Sequence, residues 1–255
     1  MKLTSIFLCI VFFGIVAWSS VLIFHMKNNG TWCQRTSRQL GAQCETITQV
    51  VTELNRQNIP NWLCYGSALA VIRAEVNEKD PSPIPWESDD DLCVYESDSQ
   101  KIEEILTIFS KKNIFKTEVL TGNVVRYRIE RVDHLAGNEW KLEIYAHKIK
   151  TYFGTEVMIQ NVAPNRDRTK RDLPYSFIEP ISRNHSYCGQ HIFSVPNQKI
   201  KYVSHLFGTT WKMPLASFTG SNGYRRFTCL LSAPFSNNVP KLRIKSNVVK
   251  VKMEA

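Results

Sequence analysis

Pro85-Trp86-Glu87-Ser88-Asp89-Asp90-Asp91-Leu92-Cys93-Val94-Tyr95 is the stretch on which the reading of the chain turns. A β-strand points alternate side chains to one face, so Glu87, Asp89 and Asp91 are expected to line up together. Three carboxylates on one face repel each other unless a cation or a proton neutralises them. Hard oxygen ligands of this kind suit Mg2+ or Mn2+, each commonly shared with the phosphates of a substrate. An isolated acidic triplet is more often a solvated turn at a strand end. The apolar setting argues otherwise: Ile84, Pro85 and Trp86 lead in, and Leu92, Cys93, Val94 and Tyr95 lead out, which puts the acids at the end of a core strand. An EF-hand loop does not fit, because Cys93 takes the next alternate position and no Gly follows at the required turn.

Upstream, residues 62–65 predict a short buried strand, and Gly66-Ser67 a turn into a helix over residues 68–75. Such a turn presents backbone N–H groups and a hydroxyl to a phosphate. Arg73 projects from that helix, where it grips a donor phosphate or makes a surface salt bridge. Residues 76–83 are charged and Pro-rich, a loop delivering the chain to the acidic strand. Further upstream, Ile47, Val50, Val51 and Leu54 recur at helical spacing from Glu45, and residues 55–60 end that helix.

Downstream, Ser97-Asp98-Ser99-Gln100 has capping-box spacing ahead of Ile102, Ile105, Leu106 and Phe109, an amphipathic helix ending near Lys112. Strands are predicted at 115–120, 124–132 and 140–147, the first two as a hairpin, with another at 152–160 and a basic polar loop over 161–172. A strand at 192–195 precedes Pro196, which is suited to open a helix carrying Ile200, Val203, Leu206 and Phe207, closed by Gly208. The order gives an α+β domain with a mixed sheet.

The formal charge of +9 over 255 residues suits an anionic partner: a phosphorylated donor, an acidic glycan or a membrane surface. Nucleic acid is disfavoured, since the Lys and Arg residues are dispersed and no helix carries a basic face with interleaved aromatics. The apolar run over residues 6–24 is long enough to span a bilayer, for which about 20 residues suffice. It reads as an anchor rather than a cleaved signal because Val21-Leu22-Ile23-Phe24 continues past Ala17 and Ser19. Cys33, Cys44, Cys64, Cys93, Cys188 and Cys229 form an even set suited to an oxidising lumen, with pairing left open. Asn29 and Asn184 head glycosylation sequons. The expected organisation is a signal-anchor over 1–26, a short stem over 27–43, a catalytic domain over 44–240 and a basic tail over 241–255.

Four segments together resemble the LicD/fukutin-type phosphotransferases, a branch of the nucleotidyltransferase superfold. They are Trp62-Leu63-Cys64-Tyr65-Gly66-Ser67-Ala68-Leu69-Ala70-Val71-Ile72-Arg73, the run from Ile84 to Leu92, Ser194-Val195-Pro196-Asn197, and His205-Leu206-Phe207-Gly208-Thr209-Thr210-Trp211-Lys212-Met213-Pro214. A Gly-Ser turn followed about two dozen residues later by the pair Asp89/Asp91 is the superfold's signature. The chain departs from the family where Glu87 replaces the usual Asp, where Ala70 replaces Gly, and in a longer loop over 76–83. Asp89 and Asp91 are therefore the safer ligands.

The resemblance implies a nucleotidyltransferase-like mixed sheet flanked by helices; the apolar run over residues 6–24 sets one N-terminal transmembrane helix before it. It implies Mg2+ or Mn2+ on Asp89, Asp91 and Glu87, with Gly66, Ser67 and Arg73 binding the donor phosphate. Glu143 sits where the family places a further acid and would serve beside Asp89 and Asp91 as catalytic base; the bland reading is a surface Glu on an edge strand. Asp133 is the rival acid. The implied reaction moves phosphocholine or a phospho-alditol from a CDP-activated alcohol to a glycan hydroxyl, in the lumen of the Golgi or ER as a single-pass type II membrane protein, or secreted if the signal is cleaved. The competing readings are a catalytically silent lumenal glycan-binding or accessory protein of the same fold, and a nucleotidyltransferase proper that transfers NMP and releases pyrophosphate.

Overall fold

Apolar spacing decides the first element. A computed structural model describes residues 36–84, 87–121, 124–133, 135, 140–159 and 172–212. The expected anchor, Asn29, Pro85, Trp86, His134, the loop 161–171 and the basic tail lie outside the described residues. Helix α1 (Ser37–Arg56) buries Leu40, Ala42, Cys44, Ile47, Val50, Val51 and Leu54. It starts eight residues before the expected Glu45, so the last part of the expected stem is helical. Burial of Leu40 and Ala42 and the Cys44–Cys188 disulfide hold that first stretch, and neither is visible in local composition.

The elements that follow are β1 (Asn61–Leu63), α2 (Tyr65–Val76), β2 (Asp89–Tyr95), α3 (Ser99–Ser110), β3 (Phe115–Leu120), β4 (Val125–Arg131), β5 (Lys141–His147), β6 (Ile149–Tyr152), β7 (Thr155–Ile159), β8 (Asp172–Pro174), β9 (Ser182–Tyr187), β10 (Gln190–Val195) and α4 (Lys199–Phe207). Most of the predicted elements are present, and the differences have local causes. Gly66 and Ser67 lie inside the first turn of α2, because the change of direction is taken one residue earlier, at Tyr65 with φ 43°. The expected capping box is not formed: residues 96–98 make a 3-10 turn, and Asp98 caps α3 without a side-chain bond. The strand expected over 152–160 is a hairpin of β6 and β7, turned by Phe153 and Gly154 at positive φ. Helix α4 opens at Lys199, three residues beyond Pro196, and ends at Gly208 with φ 74°.

The main sheet has the order β1-β2-β5-β4-β3. Strands β2 and β5 run parallel, while β1–β2, β5–β4 and β4–β3 are antiparallel, so the protein is α+β with a mixed sheet. Strand β5 is central, which removes the bland alternative of Glu143 as a surface residue on an edge strand. One face of the sheet is apolar, with Leu92, Val94, Tyr127, Ile129, Leu142, Ile144 and Ala146 all buried. Helix α1 reaches this face through Thr46, whose hydroxyl accepts from Arg131 at 3.4 Å, and α3 reaches it through Phe109 against Phe115. The other face carries Asp89 and Asp91 of β2, Arg126, Arg128 and Glu130 of β4, and Lys141 and Glu143 of β5, while Asp90 and Arg131 lie buried on the apolar side. A second disulfide, Cys64–Cys93, ties the end of β1 to β2. Among the described residues no helix is long and apolar enough to cross a membrane.

Burying an aliphatic side chain of this size contributes about 1.5–3 kcal/mol, and truncation adds the penalty of a cavity. Leu142→Ala, on the middle strand and fully buried, is therefore expected to cost about 2–5 kcal/mol in urea unfolding. A change within about 0.5 kcal/mol would contradict the central place given to β5.

Candidate metal centre and active site

Strand β1 is short. Its register pairs Asn61, Trp62 and Leu63 with Val94, Cys93 and Leu92, which leaves the edge of β2 at Asp91 without a neighbouring strand. A buried strand edge must find other partners for its backbone groups, and the start of α2 supplies them. The Cys64 N–H donates to the Asp91 carbonyl at 3.1 Å, and the Asp91 N–H donates to Ser67 Oγ at 2.8 Å. The Gly66 N–H donates to Asp91 Oδ2 at 3.2 Å. A Cβ on Gly66 would stand 3.4 Å from that same oxygen, so the missing side chain permits the approach.

The Ser67 hydroxyl donates onward to Asp90 Oδ1 at 3.1 Å. Asp90 points to the face opposite Asp91, where it also accepts the Tyr187 hydroxyl at 2.6 Å and the Trp140 indole N–H at 3.1 Å. The middle acid of the run is thus an internal anchor, satisfied by α2, β9 and the residue preceding β5.

Parallel pairing places Asp91 opposite Glu143 and Asp89 opposite Lys141. Neighbours in register point to the same face, and one carboxylate oxygen each from Asp89, Asp91 and Glu143 lies within 4.8 Å of the other two. Glu87 does not join this group: it precedes the strand, so the alternation expected from Glu87 through Asp91 begins only at Asp89. Its charge is still felt at Asp89 and Arg73.

The three acids differ electrostatically. Burial, reinforced by Glu87 and Glu143, pushes Asp89 up to about 6. Burial and the charges of Asp89 and Asp90 raise Asp91 well above the ordinary carboxylate range, against the opposing pull of the Gly66 N–H. Glu143 goes the other way. Burial acts to raise it, but the Tyr145 hydroxyl, Lys141 and Arg126 outweigh burial and hold it at about 2. Tyr145 donates to Oε2 at 2.6 Å, Arg126 Nη1 lies 3.0 Å from Oε2, and Arg128 Nη2 and Lys141 Nζ each lie 3.1 Å from Oε1.

The remaining expected residues fall elsewhere. The Gly66 N–H and the Ser67 hydroxyl are engaged with the acid strand itself, and Arg73 Nε donates to the Trp211 carbonyl at 2.6 Å. Asp133 pairs with Arg131 at 2.6 Å and is not in the acid group. Asn184 is exposed on β9. Sequence reasoning passed over Asp90, Arg126, Arg128, Lys141 and Tyr145. The signal was present in the polar alternations Arg126-Tyr127-Arg128-Ile129-Glu130 and Lys141-Leu142-Glu143-Ile144-Tyr145, whose pairing across β4 and β5 only the fold supplies.

Two crowded carboxylates that resist ionising, beside a third that is fully ionised, form a set of hard oxygen donors that can hold a divalent cation. The family model described as LicD/FKTN/FKRP, nucleotidyltransferase domain, matches residues 58–198, more than half of the chain. No curated protein matches the sequence. Similar solved structures include lincosamide antibiotic adenylyltransferase LnuA with lincomycin bound, at 14% identity and TM-score 0.40, covering 74% of this chain and 96% of that one. Another is ANT(2")-Ia in complex with adenylyl-2"-tobramycin, at 11% identity and TM-score 0.41, covering 75% of this chain and 90% of that one.

The shifts set a pH dependence for the metal-free protein. Asp89 is raised, so its contribution is intact below about 3.8 and is lost as pH rises through about 6. Glu143 is lowered, so its contribution is present above about 4.5 and is lost as pH falls toward about 2. Thermal melting without metal is expected to peak at about pH 4, where these two windows cross, and to decline toward neutrality. Mn2+ should reverse the decline, since an ion displaces the protons of Asp89 and Asp91. A metal-free Tm that climbs from about pH 5 to about pH 7 and ignores Mn2+ contradicts this electrostatic description.

Proposed function

The chain belongs to the LicD/FKTN/FKRP nucleotidyltransferase-domain family, and from that premise we propose that it is a metal-dependent phosphotransferase. It takes a phospho-alcohol, phosphocholine or a phospho-alditol, from a CDP-activated donor and delivers it to a glycan hydroxyl. The observation that carries the reading is the convergence of Asp89, Asp91 and Glu143 beside the Gly66-Ser67 turn. Asp89, Asp91 and Glu143 would hold Mg2+ or Mn2+, which supplies charge neutralisation to the donor diphosphate.

In the proposed reaction the acceptor hydroxyl attacks the phosphorus nearest the alcohol, the bond from that phosphorus to the bridging oxygen breaks, and CMP leaves with a phosphodiester remaining. The resemblance assigns the proton to Glu143. A carboxyl held at about 2 by the Tyr145 hydroxyl, Lys141 and Arg126 is a weak base near neutrality, so its physical chemistry favours the part of an anionic oxygen ligand over that of proton acceptor. The two disulfides among the described residues support a setting in an oxidising lumen, the Golgi or ER interior. Exposure of Asn184 is compatible with glycosylation there. The competing reading, a silent glycan-binding or accessory protein of the same fold, draws on the same engagement of Glu143 and on Glu87 standing outside the acid group.

Mg2+-dependent CMP release from a panel of CDP-alcohols separates the readings. Catalysis is expected from at least one donor, and Asp89→Asn/Asp91→Asn should lower it by about 100-fold or more while the protein stays folded by circular dichroism. Unchanged turnover in the double variant overturns the metal assignment. Absence of CMP from every donor, in folded protein, favours the silent binder, and release of pyrophosphate from a nucleoside triphosphate supplied in a parallel assay identifies a nucleotidyltransferase proper.

A further inference from the structure

Arg126 and Arg128 occupy alternate positions of β4, opposite Tyr145 and Glu143, on the face that carries the acid group. Both guanidinium groups and the Lys141 ammonium turn onto the single Glu143 carboxylate. That carboxylate is deep, with 2% of its side chain exposed, whereas the side chains of Arg126, Lys141 and Arg128 are 30%, 27% and 20% exposed. The cations therefore lie between the acids and the open side of the sheet. Arg128 is also held by Glu118 at 3.1 Å and Glu130 at 3.8 Å, both more exposed and correspondingly weak partners. Arg126 Nε is buried and has no hydrogen-bond partner, a costly omission for a cationic group. Oε1 of Glu143 already faces Arg128 and Lys141, and Oε2 faces Arg126 and the Tyr145 hydroxyl, so a divalent ion on either oxygen weakens contacts the carboxylate now makes.

We propose that Arg126 and Arg128 are the anion clamp of this site, binding the diphosphate of a nucleoside diphosphate ester; the inference rests on the metal-dependent reading given above. When Glu143 gives its oxygen to the ion, the two guanidinium groups lose part of their counter-charge and take the non-bridging phosphate oxygens. The planar fork of arginine matches phosphate as it matches carboxylate. Residues at the Gly66-Ser67 turn are less free to do so, since the Gly66 N–H and the Ser67 hydroxyl already bond Asp91 and Asp90. Arg126 carries the larger share, having a less complete set of partners in the ligand-free arrangement and the Tyr145 ring 5.9 Å away.

The test uses the full chain, with Mn2+ binding followed by electron paramagnetic resonance and with pyrophosphate and CDP titrated calorimetrically into the Mn2+-loaded protein. Arg126→Gln is expected to weaken both anions about tenfold or more, Arg128→Gln somewhat less, and Arg126→Lys to an intermediate degree. Mn2+ affinity should be unchanged or tighter in these variants, because a competitor for Glu143 has been removed. Anion binding equal to wild type in folded Arg126→Gln and Arg128→Gln overturns the clamp. Loss of Mn2+ binding in those variants also overturns it, since the arginines would then serve only to position Glu143. Failure of the wild type to bind Mn2+ at all is a separate result that removes the metal reading and the clamp with it.

Discussion

The parallel register of β2 and β5 sets Asp91 opposite Glu143 and forces acids together in a mostly buried place. Two unit charges at 4.8 Å repel by roughly 3.5 kcal/mol at an effective dielectric near 20. Three such pairs exceed what the Gly66 N–H bond to Asp91 offsets, since a hydrogen bond to a charged group contributes about 1.5–3 kcal/mol. The surroundings answer in two ways. Asp89 and Asp91 resist ionisation, and Glu143 is covered by arginine and lysine side chains. A divalent ion would resolve the same repulsion without protonation, and the three carboxylates are placed so that they can hold one.

The constraint reaches back into the fold. Strand β1 is too short to complete the edge of β2, and the Ser67 hydroxyl takes the place of a strand by accepting the Asp91 N–H. The same hydroxyl fixes Asp90, which with Trp140 and Tyr187 locks the opposite face of the acid run. The Cys64–Cys93 disulfide pins the turn to the strand just beyond the acids. Packing, backbone satisfaction and charge placement therefore converge on one short segment, and a change at Ser67 acts on stability and on site geometry together.

What could be read in the sequence was local. The alternation of Asp89 and Asp91 needs only strand geometry, and Gly66-Ser67 before an apolar helix needs only the chain order. The helix and strand runs followed from periodicity because each buries one face. Long-range pairing was not legible. Nothing in Arg126, Arg128 or Lys141 says that they lie beside Glu143 until β4 and β5 are paired, and nothing in Asp90 names Tyr187, a residue 97 positions away, as its partner. The early start of α1 escaped notice because its cover comes from distant chain, including Cys188. Glu87 misled for the opposite reason: the alternation was extended one step past the true start of the strand.

Anomalous diffraction from Mn2+-soaked crystals tests the central claim most directly. The account predicts one strong peak bridging the carboxylates of Asp89, Asp91 and Glu143, with oxygen distances of about 2.1 Å. A peak elsewhere, or none with those carboxylates still converged and accessible, would contradict it.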